Sequence, residues 1–250
     1  AIDLALWDLE GRRTGQPVWR LLGARAGEAV EVNYTIAASD RAGAAAQAST
    51  AKAAGFRCVK AKVGLGDDAG RLAAVRAMLG ADVAIRLDAN GAWSVEEATA
   101  ALRVLAPVGI ELCEEPVLGL AQTRELAAVT SVPIALDETA SAIGALDDRV
   151  CQAVCLKIAS CGGITGVVEA ARRARAAGYE VYLASTLDGP LGIAAALHAA
   201  AVVRPERACG LATLALFGDR GDPLPAREGL IGIPAGAGLG DGLISWYQAP

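Results

Sequence analysis

The stretch Arg57-Cys58-Val59-Lys60-Ala61-Lys62-Val63 predicts a short strand that carries two lysines two residues apart. Successive side chains of a strand point to opposite faces, so Lys60 and Lys62 share one face and the two valines share the other. In isolation this pattern is typical of an amphipathic strand whose lysines face water. The elements around the strand, and the charged residues that end the other strands, favour a different interpretation.

Strand-like and helix-like runs alternate along the chain. We predict strands near 30–36, 57–63, 83–88, 110–114, 133–137, 153–158, 180–185 and 208–212. Helical patterns lie near 40–54, 68–79, 94–106, 121–129, 141–149, 162–177 and 190–203. This alternation indicates parallel βαβ units, and eight strands favour a closed barrel. An open doubly wound sheet is the alternative, but no Gly-x-Gly-x-x-Gly motif follows an early strand.

The chain divides into three predicted regions. We expect an entering helix and linker over 1–29, a (β/α)7β barrel over 30–215, and a tail rich in Gly and Pro over 216–250 that wraps the barrel. The sequence begins inside a helical pattern, and no residue ahead of Ile2 is suited to cap it. We therefore expect an N-terminal portion outside this sequence.

Composition excludes several classes of function. The 250 residues carry a net charge of −5, and the lysines and arginines are scattered, which argues against a nucleic-acid partner or a membrane-binding face. The six cysteines form no Cys-x-x-Cys pair, so we interpret them as buried free thiols of a cytoplasmic protein. No apolar run is long enough to span a membrane.

Three consecutive predicted strands end in a carboxylate, at Asp88, Glu114 and Asp137. In a barrel of parallel strands the chemistry lies at the C-terminal strand ends. Three converging carboxylates repel one another unless a cation neutralises them, and hard oxygen ligands suit Mg²⁺. Taken singly, each acid has an alternative role as the cap of the following helix.

Lysines stand on two further strands. Lys157 is the single lysine of an otherwise apolar strand, and Lys62 and Lys157 lie on the second and sixth of eight strands. We therefore expect them on opposite sides of the barrel mouth, with the cation between them. Such a site suits removal of a proton next to a carboxylate, since the metal holds the carboxylate and one lysine serves each face.

The residues Lys60-Ala61-Lys62, Asp88-Ala89-Asn90, Glu114-Glu115-Pro116, Asp137-Glu138 and Lys157 resemble the motif set of the enolase superfamily. Within it they resemble the muconate-lactonizing subgroup of cycloisomerases, o-succinylbenzoate synthases and dipeptide epimerases. The resemblance implies a TIM-type (β/α)7β barrel, together with an N-terminal α+β capping domain that is absent from this chain.

The resemblance also implies roles for the residues of these motifs. Asp88, Glu114 and Asp137 would bind Mg²⁺, and Lys62 and Lys157 would form the acid–base pair. Lys60 would polarise Lys62 or the carboxylate of a small-molecule substrate, and Asn90 would contact that substrate. A homo-oligomer is usual for this family.

The segment that follows the predicted strand 180–185 bears on the subgroup. It is similar to a cycloisomerase loop in which an acid stands in the place of Asp188, so Ser185 and Asp188 are candidate substrate-binding residues. A cap for the helix after Pro190 is the alternative role of Asp188. The run 208–214 instead looks like o-succinylbenzoate synthases, and no Asp-x-Asp follows it, which weighs against a dipeptide epimerase.

The mandelate racemase branch is disfavoured. It needs a histidine on the seventh strand, and the one histidine, His198, lies in an Ala-rich helix where we interpret it as a packing residue. The leading prediction is thus a Mg²⁺-dependent isomerase that works through an enediolate. A dehydratase of the o-succinylbenzoate type shares the first half-reaction and is the alternative. A non-catalytic barrel that binds a carboxylate is the alternative from another class.

Overall fold

The computed structural model describes residues 1–218 and 220–248. The chain forms two compact units. Unit 1 contains Ala1–Val32, Leu156–Arg175 and Val181–Pro250, and unit 2 contains Asn33–Cys155 and Ala176–Glu180. The predicted division into entering region, barrel and tail remains a prediction.

Helices and strands alternate through most of the chain. The α-helices α1 to α9 cover Ile2–Thr14, Val18–Leu21, Arg41–Ala53, Asp68–Leu79, Val95–Leu105, Leu120–Val129, Ile164–Ala176, Pro190–Val203 and Ser245–Gln248. The strands β1 to β9 cover Val30–Glu31, Tyr34–Ile36, Cys58–Lys62, Ala84–Asp88, Ile110–Glu114, Ile134–Leu136, Ala153–Lys157, Glu180–Ala184 and Leu230–Ile231. Short 3-10 helices cover Ala106–Val108, Glu138–Ser141 and Leu214–Phe217.

Strands β2 to β8 form one sheet in which neighbours follow the order of the chain. The pairs from β2 to β7 are parallel. Their apolar side chains are buried, as in a sheet with helices between its strands. Because parallel neighbours end at the same edge, this topology gathers the C-terminal strand ends of unit 2.

The predicted strand 30–36 is two strands in the structure. β1 pairs antiparallel with β9, whereas β2 joins the parallel sheet. The backbone N–H of Val32 donates to the carbonyl oxygen of Gly229 at 2.8 Å, so the first part of the run pairs with the C-terminal segment. An apolar run in the sequence predicts that a segment is buried, but it does not predict which strand the segment pairs with.

Two other sequence predictions were wrong. The run 208–212 forms only isolated bridges, Val32 with Cys209 and Ala184 with Gly210, so seven strands of the described residues make the main sheet. The run 141–149 contains no α-helix, because Ala142 adopts an extended conformation that ends the preceding 3-10 helix. Gly144 then turns the chain with φ +81°.

All six cysteines are free, and five of them are buried as predicted, whereas Cys161 is only half-buried. None of the helices of the described residues has both the length and the apolar character needed to cross a bilayer.

His198 is fully buried in α8, and its Nδ1 accepts a hydrogen bond from the backbone N–H of Trp19 at 3.2 Å. Burial lowers the pKa of His198 from 6.5 to about 4, although a backbone interaction at Leu239 and the negative charge of Asp8 oppose this shift. The unfolded chain therefore takes up this proton before the folded one does. The stability that neutral His198 contributes is fully present above about pH 6.5 and is lost as the pH falls towards 4.

We expect the substitution His198→Asn, which retains an acceptor, to flatten this pH dependence. Urea unfolding of the wild type should show a loss of about 2 kcal/mol from this group between pH 7.5 and pH 5. The variant should lack that part of the loss, whatever its stability at pH 7.5. An identical pH dependence in both proteins would show that His198 is not the group that titrates.

Candidate active site

The strand register brings the predicted site residues of unit 2 side by side. Lys62 pairs with Asp88 across β3 and β4, and Asp88 pairs with Glu114 across β4 and β5. Each is the last residue of its strand. Three charged side chains therefore line one edge of the sheet, as the alternation of side chains predicted.

Both lysines of β3 contact these carboxylates. The Nζ of Lys60 lies 2.9 Å from Oδ2 of Asp88 and 3.0 Å from Oε1 of Glu114. The Nζ of Lys62 lies 2.6 Å from the same Asp88 oxygen. The Asp88 and Glu114 side chains are each 1% exposed, that of Lys60 is 14% exposed and that of Lys62 is 35% exposed. Lys62 is thus the lysine that a solute can reach.

The electrostatics of the cluster fix the charge of Lys60. Burial alone lowers the pKa of Lys60, but the negative charges of Glu114 and Asp88 outweigh it and raise that pKa above its ordinary value. Burial raises the pKa of Asp88, but the positive charges of Lys60 and Lys62 outweigh the effect of burial, and the pKa lies below its ordinary value. Lys60 therefore remains a cation, which suits it to electrostatic support and makes it a poor base.

Asn90 extends this polar network beyond the end of β4. Its Oδ1 accepts a hydrogen bond from Lys62 at 2.5 Å, and its Nδ2 donates to Glu138 at 3.1 Å. Its backbone N–H donates to Oδ1 of Asp88 at 3.0 Å. The residue has φ +46°, a conformation that asparagine tolerates better than most residues. Asn90 is exposed, so its amide is open to a ligand.

The carboxylates fit a divalent cation. Glu114, Asp137 and Cys155 each place a potential ligand atom within 4.8 Å of the others, and all three are buried. The carboxylate oxygens are the hard donors that Mg²⁺ prefers, whereas the sulfur of Cys155 is a soft donor. Asp88 adds a third carboxylate beside Glu114. The positive charge next to these two carboxylates is that of Lys60.

Sequence reasoning missed one member of this cluster, Cys155, and one residue beside it, Glu115. It interpreted Cys155 only as a buried thiol, although strand alternation places Cys155 on the same face as Lys157. It assigned no separate role to Glu115, whose buried carboxylate accepts hydrogen bonds from the backbone of Asp137 and Thr139. Burial raises the pKa of Glu115, although these hydrogen bonds oppose that rise.

Three other predicted residues belong to unit 1. Lys157 is half-buried at the end of β7. The backbone N–H of Asp188 donates to Oγ of Ser185 at 2.8 Å, and the Asp188 carboxylate accepts from the backbone N–H and the hydroxyl of Thr186, both at 3.1 Å. The N-cap of α8 is Gly189, with no side-chain cap, so Asp188 does not have the capping role that was its alternative.

Comparison with known proteins places this geometry in a family. The family model described as Enolase C-terminal domain-like matches residues 43–243, which is most of the chain. The model for the mandelate racemase / muconate lactonizing enzyme N-terminal domain matches residues 1–23. The chain belongs to the enolase superfamily. The predicted fold class, the TIM-type barrel of that superfamily, is confirmed.

Relatives in the superfamily include epimerases, racemases and cycloisomerases. The D-Ala-D/L-Ala epimerase of Cytophaga hutchinsonii is 31% identical over 97% of this chain and 69% of its own length. Muconate cycloisomerase 1 of Pseudomonas putida is 32% identical over 81% of this chain and 57% of its own length. The crystal structure of the N-succinyl Arg/Lys racemase of Bacillus cereus superposes with a TM-score of 0.91 at 28% identity, covering 99% of this chain and 70% of that one.

These comparisons bear on two sequence-based expectations. Dipeptide epimerases and muconate cycloisomerases are both among the relatives, and the expectation drawn from the missing Asp-x-Asp stays a prediction. The chain spans less than two thirds of the length of some relatives, as the 57% for the cycloisomerase shows.

Proposed function

We propose that this protein is a Mg²⁺-dependent isomerase that removes a proton next to a carboxylate group of a small molecule and returns it. The observation that carries the proposal is the contact of Lys62 with Asp88 beside Glu114 at one sheet edge. A lysine that is partly exposed next to buried carboxylates combines a base with a cation site. The named activities of the relatives support the same reaction class.

Asp88, Glu114 and Asp137 would hold the Mg²⁺. When bound, the cation polarises the substrate carboxylate and stabilises the negative charge that develops on proton removal. Because all three carboxylates are buried, their charge acts in a site that excludes bulk water.

The lysines would divide the remaining work. Lys62 would take the proton on one face of the substrate, and Lys157 would take or return it on the other. Lys60 holds its proton and keeps Asp88 and Glu114 in place. Asn90, Ser185 and Asp188 would contact the rest of the substrate and set its orientation.

The named activities of the relatives support a proposal for the substrate class. Their names specify dipeptides, N-succinyl amino acids and muconates. In each of these compounds the carbon atom next to a carboxylate loses or gains a proton during the reaction. We propose a substrate of this kind and isomerisation as the reaction. We also propose that the protein acts in the cytoplasm and forms a homo-oligomer. Light scattering coupled to size-exclusion chromatography tests the oligomeric state.

Proton exchange tests the reaction class without knowledge of the natural substrate. The purified protein, with Mg²⁺ in D₂O, is incubated with a panel of dipeptides, N-succinyl amino acids, muconates and the o-succinylbenzoate precursor, and NMR follows the loss of the α-proton signal. We expect exchange with at least one member and loss of exchange after addition of a chelator. Dehydration of the precursor would favour the lyase alternative.

The double variant Lys62→Ala, Lys157→Ala is the decisive control for the mechanism. Exchange should fall to the uncatalysed rate, since both proposed bases are gone. Exchange that persists at the wild-type rate would refute the two-lysine mechanism. Binding of panel members without any exchange would favour the non-catalytic barrel.

A further inference from the structure

The carboxylate of Glu115 lies at the centre of a hydrogen-bond cluster in unit 2. The residue is 1% exposed. Its Oε2 accepts the backbone N–H of Asp137 at 2.6 Å, and its Oε1 accepts the backbone N–H of Thr139 at 3.1 Å. Oε1 also accepts the Thr139 hydroxyl in a short contact. Both oxygens thus bind the segment that follows β6.

The backbone of Glu115 forms hydrogen bonds to strand β6 and to the segment that follows β4. Its N–H donates to the carbonyl of Ala135 in β6 at 2.9 Å, and its carbonyl accepts the N–H of Gly91, after β4, at 2.6 Å. Glu115 has φ +39°, which is unusual for a residue other than glycine. Backbone strain of this kind persists where surrounding contacts fix the conformation, and here five hydrogen bonds do so.

These contacts link the ends of the three strands that carry the proposed metal ligands. Asp88 ends β4, Glu114 ends β5, and Asp137 follows β6. The side chain of Glu115 holds the Asp137 backbone directly, and the ligand oxygens of Glu114 and Asp137 lie within 4.8 Å of one another. A displacement of the Asp137 backbone would separate oxygens that have to converge on one ion.

We propose that Glu115 is a positioning residue that fixes Asp137 in the place where its carboxylate and that of Glu114 bind one divalent cation. The inference rests on the proposed function, because it concerns the same cation site. Glu115 itself does not touch the ion. The ionised carboxylate of Glu115 can only accept hydrogen bonds. This matches its three partners, two backbone N–H groups and one hydroxyl, all of which donate.

The isosteric variant Glu115→Gln tests the proposal. Glutamine replaces one acceptor oxygen with an NH₂ group, which faces a backbone N–H whichever way the amide is turned. The probe is Mn²⁺ alone, and electron paramagnetic resonance measures the free ion during a titration of the folded protein. We expect the Kd for Mn²⁺ to rise by about 10- to 100-fold, as when groups that orient metal ligands are removed elsewhere.

A matched control is Glu125→Gln, the same substitution at an exposed position of α6. Its Kd should equal that of the wild type. Near-ultraviolet circular dichroism, recorded well below the unfolding midpoint, checks that each variant is folded, so that a loss of affinity is not a loss of fold. An unchanged Kd for folded Glu115→Gln would overturn the proposal.

Thr139 provides a second, milder pair of variants. Thr139→Val removes the hydroxyl that donates to Glu115, and Thr139→Ser keeps it. We expect a weaker affinity for Mn²⁺ in the valine variant and a wild-type affinity in the serine variant. If Glu115→Gln does not fold, equal affinities of this pair would overturn the proposal. If the wild type itself fails to bind Mn²⁺, the proposed function fails, and the two failures are thereby distinguished.

Discussion

Replacing Lys62 by alanine is expected to lower the rate of α-proton exchange by about 10²- to 10⁴-fold, the usual contribution of a general base. Lys62 is the more exposed lysine of β3 and contacts Asp88 at 2.6 Å and Asn90 at 2.5 Å. The pKa of Lys60 is raised by its two carboxylate partners, so Lys60 cannot replace Lys62 as the base. The measurement is deuterium exchange by NMR on the substrate that the panel identifies.

The configuration of the substrate sharpens this prediction. If one lysine serves each face, Lys62→Ala should abolish exchange for one configuration, and Lys157→Ala should abolish it for the other. Lys52→Ala is the control, since Lys52 lies exposed on α3 and donates only to the carbonyl of Met78 among the contacts described. Equal exchange rates in Lys62→Ala and the control would rule out Lys62 as the base.

The sequence was sufficient to predict that Lys62, Asp88 and Glu114 stand at the ends of neighbouring strands. Alternation determines which side chains share a face, and parallel strands end at a common edge, so residues that end consecutive strands become neighbours. The register confirms this adjacency. Whether these residues perform the proposed chemistry is a separate matter that the variants test.

The sequence could not predict the role of Glu115. This residue follows the last residue of β5, where the backbone turns to φ +39° and the alternation of faces no longer applies. Two of the three donors to its carboxylate are the backbone N–H groups of Asp137 and Thr139, which every residue type except proline offers. No pattern of residue types records such a contact.

The errors in the fold have a related cause. The runs 30–36 and 208–212 are apolar enough for strands, but strand assignment depends on a paired partner as well as on burial. The first run divides because β1 pairs with β9, some 200 residues away along the sequence. Local periodicity contains no information about a partner at that distance.

The substitution Lys60→Met is expected to destabilise the protein by about 3 kcal/mol when no divalent cation is added. Methionine retains most of the volume of lysine but removes the charge that lies 2.9 Å from Asp88 and 3.0 Å from Glu114. Both side chains remain buried, so their negative charges lose a counter-charge in a medium that solvates them poorly. Urea unfolding in the presence of a chelator measures the loss, and Lys52→Met is the control for the same change at an exposed site.

Magnesium should partly reverse this loss if the carboxylates form a cation site. In the wild type the charge of Lys60 repels an entering cation, whereas in Lys60→Met the cation meets the same carboxylates without that repulsion. A tenfold tighter binding by the variant would narrow the difference in stability at saturating Mg²⁺ by about 1.4 kcal/mol. Equal stabilisation of both proteins by Mg²⁺ would mean that Lys60 and the cation do not compete for the charge of Asp88 and Glu114. A narrowed difference would instead show that Lys60 and the cation compete for the negative charge of the same two buried carboxylates.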